Sequence, residues 1–429
     1  MLDRYFKLSE NGTTVRTEVL AGITTFLTMA YIVFVNPAIL ADAGIDRGAA
    51  FVATCLAAAI GTAIMGLYAN YPVALAPGMG LNAYFTYGVV LGMGHSWQVA
   101  LGAVFVSGVL FLILSLLPIR EKIINAIPLS QKFAIGAGIG LFLGLIGLKN
   151  AGIVVDNPAT LVGLGKLMTP VVGMAILGFF LIAILDNRKV PGAIMISILA
   201  VTILGIVLGL SPFGGIASAP PSLAPTLLAM DISGALSLGL ITIVFAFLMV
   251  DLFDTAGTLV AVAPRAGLLN PDGSLKRLSR ALIADSTATI AGAALGTSTT
   301  TSYIESAAGI RVGGRTGLTA VIVAILFILA IFFAPLAGSI PSYATAPALI
   351  FVACVMASSL ARIDWEDLTE YLPAVVTAIM MPFTFSIATG IGLGFITYVV
   401  LKATTGRFRD IHPVMAAVAF VFLLKFIFT

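Results

Sequence analysis

Apolar runs long enough to cross a hydrocarbon core follow one another along almost the whole chain, and this decides what it can fold into. Of its 429 residues, 60% are hydrophobic and 10% charged, which leaves too little polar surface for a soluble protein. The chain therefore reads as an all-α polytopic membrane protein. Inside lipid, backbone N–H and C=O groups need partners within the protein, so spanning structure is helical unless neighbouring protein supplies bonds. The net charge of +3 is small and gives no reason to expect nucleic acid as a partner. Cys55 and Cys354 lie in apolar stretches and read as packing residues, not a disulfide. The first apolar run follows a short polar start and is long enough to span, so it reads as retained and not as a cleaved signal.

Spans are expected at 17–40, 47–69, 97–117, 129–148, 167–186, 192–210, 234–262, 280–297, 313–336, 344–361, 369–386 and 387–404. Two further regions, 72–88 and 298–311, are too rich in Gly, Pro, Ser and Thr for continuous helix. Counting both gives fourteen membrane segments. With a cytoplasmic N-terminus, all but five of the 22 Lys and Arg then fall on cytoplasmic segments, Arg120, Lys122, Arg188, Lys189 and Arg277 among them. Arg47, Lys149 and Lys166 face outward, and Lys132 and Lys425 are ambiguous. This asymmetry follows the positive-inside rule, and the expected location is the plasma (inner) membrane, multi-pass. A last apolar stretch, 413–428, is short and reads as either an interfacial or an extra span.

Against that background the run FLMVDLFDTAGTLV (247–260) is anomalous. Asp251 and Asp254 are three residues apart, so they share a helix face, which Thr255 and Thr258 extend. A third acid, Glu305, follows the hydroxyl run at 297–302. Ionisable groups at this depth are expensive and mark water-filled sites or pathways. Together the three acids point to transport. Asp285, near the start of the ninth span, reads as a supporting polar residue.

The two half-formed regions occupy matching places in the chain. YPVALAPGMGLNAYFTYG (71–88) is the third segment and GTSTTTSYIESAAGI (296–310) the tenth. Seven crossings per half is an odd number, so the second half inserts upside down relative to the first. Such a 7+7 inverted repeat, broken at the same place in each half, points to a midplane binding site. Pro77, Gly78 and Gly80 discourage helix, while Thr299, Thr300 and Thr301 favour extended backbone. Two short extended pieces, one from each half, can therefore pair and leave helix N-termini beside them, suited to electron-rich ligand atoms.

At these residues the chain resembles the nucleobase–ascorbate (nucleobase:cation symporter-2) superfamily, and within it the AzgA-like adenine, guanine and hypoxanthine permease branch. The resemblance rests on AGITTFLTMAYIVFVNP (21–37), APGMGLNAYF (76–85), VDLFDTAGTL (250–259) and TSTTTSYIESAAGIRVGGRTGLTA (297–320). It implies a core (transport) domain from 17–118 and 234–336 and a gate domain from 119–211 and 337–405, with a hydrophobic C-terminal segment at 406–429. It further implies a homodimer and a substrate site between the third, eighth and tenth segments. The wider superfamily commonly follows the tenth-segment acid with Asn and then, two further on, Gly. Here Ser306, Ala307, Ala308 and Gly309 follow Glu305, which favours the purine branch.

A purine base is flat and nearly neutral, with N–H donors and ring-nitrogen or carbonyl acceptors on its edges. Carboxylates accept N–H bonds, and an amide both donates and accepts. The candidate substrate residues are accordingly Asn82, Asp254, Glu305, Asp251, Thr28 and Tyr303. Asn82 reads equally well as helix-to-helix glue. Burial disfavours the charged form of a carboxyl, which makes Asp251 and Glu305 candidates to carry a coupling proton. Spacing leaves open whether Asp251 or Asp254 meets the base. Phe85, Tyr303 or Phe253 are candidates to cover a ring face. The expected function is proton-coupled purine uptake in the lipid bilayer, with no cofactor, no metal and no enzymatic step. An anion carrier of related fold is disfavoured because the acids would repel its substrate. A magnesium-dependent intramembrane prenyl transferase would use Asp251 and Asp254, but needs a second acidic cluster and basic residues at depth.

Overall fold

The computed structural model describes residues 2–117, 127–237, 240–270 and 274–428. Arg120, Lys122 and the expected domain boundary at 118/119 lie outside these. In the first half α1 (Val15–Met29) and α2 (Ile32–Asp42) form one apolar run interrupted at Ala30 and Tyr31. After α3 (Arg47–Ile64) come β1 (Leu75–Pro77) and α4 (Met79–Ala83), which runs on as a π-helical stretch over Tyr84–Gly92. Then follow α5 (Trp97–Leu116), α6 (Leu129–Asn150), a hairpin of β2 (Val154–Asn157) and β3 (Leu161–Leu164), α7 (Pro170–Asn187) and α8 (Ala193–Val207).

The second half repeats the order. It runs α9 (Ile241–Val262), α10 (Leu278–Leu295), β4 (Thr300–Ser302), α11 (Ser306–Val312) and α12 (Gly317–Ala330). It ends with α13 (Ser342–Ala357), α14 (Leu368–Thr384), α15 (Ile387–Thr404) and α16 (Pro413–Phe428). Among the described residues nine helical runs are long and apolar enough to cross a membrane. The shorter α8 and α14, the more polar α10 and the two broken segments complete the fourteen expected. The interruptions at β1 and β4 fall where Pro77 and the Thr299–Thr301 run predicted them. Gly80 differs from expectation, since it lies inside α4. Its place there is set by close approach: a Cβ on it would meet Ile139 Cγ2 of α6 at 2.2 Å.

Helix ends follow ordinary capping chemistry. Thr14, Asp46, Ser96 and Ser386 each accept an N–H from the first turn that follows. The start of α12 is capped from a distance. Glu18 of α1, wholly buried, accepts the N–H groups of Arg315, Thr316 and Thr319 and the Thr319 hydroxyl. Gly296 and Gly313 end α10 and α11 with φ of 99° and 117°, backbone that a side chain would strain.

Two groups of helices emerge from the packing. In one, α1, α2, α3, α5, α9, α10 and α12 surround the two strands. In the other, α6, α7, α8, α13, α14 and α15 pack on one another. The two groups meet where α6 touches α4 and α9, where α15 touches α9, where α8 touches α1 and where α13 touches α2. The run Arg47–Ala69 is 72% buried, whereas Pro170–Asn187 is 28% and Gly317–Ser339 33% buried; the last two therefore present apolar side chains to lipid.

Candidate functional site

The site is built on β1 and β4. They pair antiparallel, with Leu75 opposite Ser302, Ala76 opposite Thr301 and Pro77 opposite Thr300. Gly78 N–H donates to Thr299 O and Tyr303 N–H to Ala74 O, each at 2.9 Å, which extends the ladder at both ends. Two strands alone leave their outer edges without bonds, and hydroxyls from neighbouring helices satisfy these. Thr62 bonds both the N–H and C=O of Leu75, Thr289 donates to Thr300 O, Ser302 N–H donates to Thr255, and Ala74 N–H donates to Ser306. These bonds give extended backbone at this depth protein partners in place of water.

Asp254 is solvent-accessible and Glu305 half-buried, and the two are charge neighbours across the strand pair. A Cβ on Gly78 would lie 3.9 Å from Asp254 Oδ2, so the end of β1 closes on that carboxylate. Glu305 accepts a hydrogen bond from the Tyr31 hydroxyl at 2.7 Å, and Thr28 donates to the Glu305 carbonyl at 3.4 Å. Tyr31 is the residue at the break between α1 and α2, so that break places a phenol against the site. Asn82 is fully buried, its amide oxygen accepting from Ser298, while its amide nitrogen has no partner among the described residues. Tyr303 spends its hydroxyl on Pro77 O at 2.6 Å, joining the two broken segments. On the opposite wall α6 brings Ile139 against Gly80, and Lys132 Nζ stands 6.0 Å from the centre of the Phe253 ring.

Asp251 lies deeper, 1% exposed, with its Oδ2 accepting from Thr289 of α10 at 2.9 Å. One turn back along α10 is Asp285, also fully buried, which accepts from Ser302 at 2.9 Å and neighbours Asp251. The structure therefore sorts the acids into an accessible pair, Asp254 and Glu305, and a sheltered pair, Asp251 and Asp285.

All six expected substrate residues, Asn82, Asp254, Glu305, Asp251, Thr28 and Tyr303, gather on or beside the strand pair. Asp254 and Glu305 face open space; Thr28, Asn82 and Tyr303 bond the protein around it. Phe85 is wholly buried and covers no open face. Tyr31 and Ser298 were not anticipated. Tyr31 lies in the 21–37 motif, but nothing local in the sequence shows the helix break that aims it. Asp285 and Thr289, four apart on one helix face, carried a signal that spacing could have exposed. Among the described residues no cluster of three or more His, Cys, Asp and Glu is arranged to hold a metal ion. An apolar cleft of about 270 Å³ lies between α9 and α16, but its lining is almost wholly hydrocarbon and offers a polar ligand little.

Broken antiparallel segments, inverted in sequence and ringed by carboxylates inside a polytopic helical fold, define a membrane transporter. The chain belongs to the Permease family, whose family model matches residues 16–393. A putative permease of Methanocaldococcus jannaschii is 57% identical over 100% of this chain and 98% of its own length. The adenine permease AdeP of Escherichia coli is 54% identical, over 100% of this chain and 96% of that protein. The guanine/hypoxanthine permease PbuG of Bacillus subtilis is 48% identical over 99% of each. Among solved structures, the transmembrane domain of a cyanobacterium bicarbonate transporter, BicA, matches with a TM-score of 0.64 and 16% identity, over 90% of this chain and 97% of that one. SLC26A9 matches at 0.68 and 11%, over 95% of this chain and 66% of that one. At such identities the likeness shows the fold alone. The protein is a multi-pass membrane permease and not an enzyme.

Proposed function

We propose that this permease takes up purine nucleobases of the adenine, guanine and hypoxanthine class together with protons. The observation that carries the reading is the accessible carboxylate pair, Asp254 and Glu305, beside the joined broken segments. Two carboxylates accept the N–H groups along a purine edge, and the Asn82 amide adds a group able to donate. The names of AdeP and PbuG support the substrate class. A neutral base gains from both acids, whereas an anion would be repelled by them.

In this reading 17–118 with 234–336 form a core that slides against a gate formed by 119–211 with 337–405, and 406–429 lies outside both. The two helix groups and the narrow seam at Gly80 and Ile139 support that division. The basic residues support a cytoplasmic N-terminus in an inner membrane. The working unit is a homodimer, as the family resemblance implies.

The test is uptake of labelled adenine, guanine and hypoxanthine into proteoliposomes, with unlabelled bases as competitors. Asp254→Asn and Glu305→Gln are expected to abolish saturable uptake in correctly inserted protein. Normal uptake by both variants would remove the site assignment.

A further inference from the structure

The sheltered acids Asp251 and Asp285 are not needed to hold a base, and their geometry suits a different task. Each carboxyl has one oxygen engaged by a hydroxyl: Thr289 on Asp251 Oδ2 and Ser302 on Asp285 Oδ1. The other oxygens, Asp251 Oδ1 and Asp285 Oδ2, accept no further hydrogen bond among the described residues, while the Thr301 hydroxyl stands close to Asp251 and the Thr255 hydroxyl close to Asp285. The two carboxyls are neighbours, and neither takes part in any ion pair among the described residues.

Two buried carboxylates side by side, both ionised and with no cation, combine the desolvation of each with their mutual repulsion. One proton between them removes one charge and gives an unpartnered oxygen a hydrogen to donate. Paired acids of aspartic proteases share one proton on the same physical grounds. The titratable groups on the adjoining elements leave this balance in place. Asp254 faces the pair from α9 itself and adds negative charge. From α3 come Cys55, buried, and Arg47, whose guanidinium is turned to Ala337 O and Ile340 O. From α6, Lys132 lies against Phe253, and from α15, Lys402 pairs with Glu370. Neither α5 nor either strand carries an ionisable side chain.

The pair is also wired to the substrate site. Asp251 stands one helical turn from Asp254. The Thr289 hydroxyl that holds Asp251 also bonds Thr300 O of β4, and the Ser302 that holds Asp285 belongs to the same strand. Glu305, in contrast, is occupied by Tyr31.

We propose that Asp251 and Asp285 together hold the coupling proton, as a carboxyl–carboxylate pair separate from the base-binding acids. This rests on the proton-coupled reading above and deepens it. The proton bonds to one of the two unpartnered oxygens, coming from water on the side the site faces. It leaves to water on the opposite side, with the base, after the core has moved.

The test uses the full-length protein in proteoliposomes with labelled adenine, guanine and hypoxanthine, and a pH-sensitive dye. Asp285→Asn is expected to keep gradient-free counterflow of the base while losing both accumulation driven by a pH gradient and base-dependent proton entry. Asp285→Glu is expected to restore accumulation with a shifted pH midpoint. Should Asp285→Asn fail to insert, Thr289→Val strips the hydroxyl from Asp251 and is expected to shift that midpoint too. Proton entry that persists in Asp285→Asn, or an unshifted midpoint in Asp285→Glu and Thr289→Val, would overturn the assignment. Loss of counterflow in parallel with accumulation, in both Asp285 variants, would also overturn it, because the role would then be structural. Base transport by the unmodified protein without proton movement would overturn the proton-coupled reading itself, a distinct result.

Discussion

The Tyr31 hydroxyl donates to Glu305 Oε1 at 2.7 Å, joining a break in the first membrane segment to the acid of the tenth. This bond fixes one oxygen of the Glu305 carboxylate. Tyr31→Phe removes the donor and keeps the ring. A hydrogen bond to a charged group contributes about 1.5–3 kcal/mol, which sets the ceiling; loss of the orientation it gives Glu305 is expected to raise the KM for a transported base by about 10-fold. Kinetics of labelled uptake check this, and an unchanged KM would detach Tyr31 from the site.

Gly80 sits where α4 touches α6, and a Cβ there would lie 2.2 Å from Ile139 Cγ2. Gly80→Val is expected to slow transport while leaving equilibrium binding of the base in place. Ile139→Ala in the same chain makes room and is expected to recover much of the rate. Rescue in the double variant, read by uptake, would support the proposed sliding of core against gate at this contact.

Glu18 caps α12 through three backbone N–H groups and the Thr319 hydroxyl. Glu18→Ala takes the carboxylate acceptor from the Arg315 and Thr316 N–H groups, while Thr319 keeps only the weaker bonds of its N–H to Thr316 O and its hydroxyl to the residue 18 carbonyl. A loss of about 2 kcal/mol or more is expected, seen as a lower melting temperature in detergent. No comparable loss is expected from Glu10→Ala, whose exposed pairing with Lys7 contributes little.

Outside the spans, Thr369's hydroxyl and the Arg407 guanidinium draw the Asp367 carboxyl down to about 2. A carboxyl lowered in the fold contributes stability in full above its unfolded value, about 3.9. That contribution disappears as pH falls towards about 2. Asp367→Asn is therefore expected to lower the melting temperature slightly at pH 7, and the difference from the unmodified protein should shrink on acidification below pH of about 4.

Much of this architecture was legible in the sequence because lipid allows few alternatives. Apolar run length located the spans, and the Gly, Pro and Thr content of 72–88 and 298–311 located the two breaks. The carboxylates Asp254 and Glu305 were visible because charge within an apolar run is costly. The break at Ala30 and Tyr31 was not legible. It falls within a continuous apolar run, and no Gly or Pro marks it. Asp285 was read as support because it stands alone in its span, and its partner Asp251 comes from a different helix. Glu18 also passed unnoticed, since an acid at a segment's start looks like an exposed end, whereas its donors lie some 300 residues away.

Under the proposed coupling, this permease accumulates purine bases at the expense of a proton gradient. The most direct measurement is accumulation of labelled adenine, guanine and hypoxanthine in proteoliposomes under an imposed inward pH gradient, with and without a protonophore. The expected result is uphill accumulation that collapses to equilibration on adding the protonophore and is indifferent to sodium. Accumulation that needs a sodium gradient and survives the protonophore would show that sodium, not the proton, is the coupling ion.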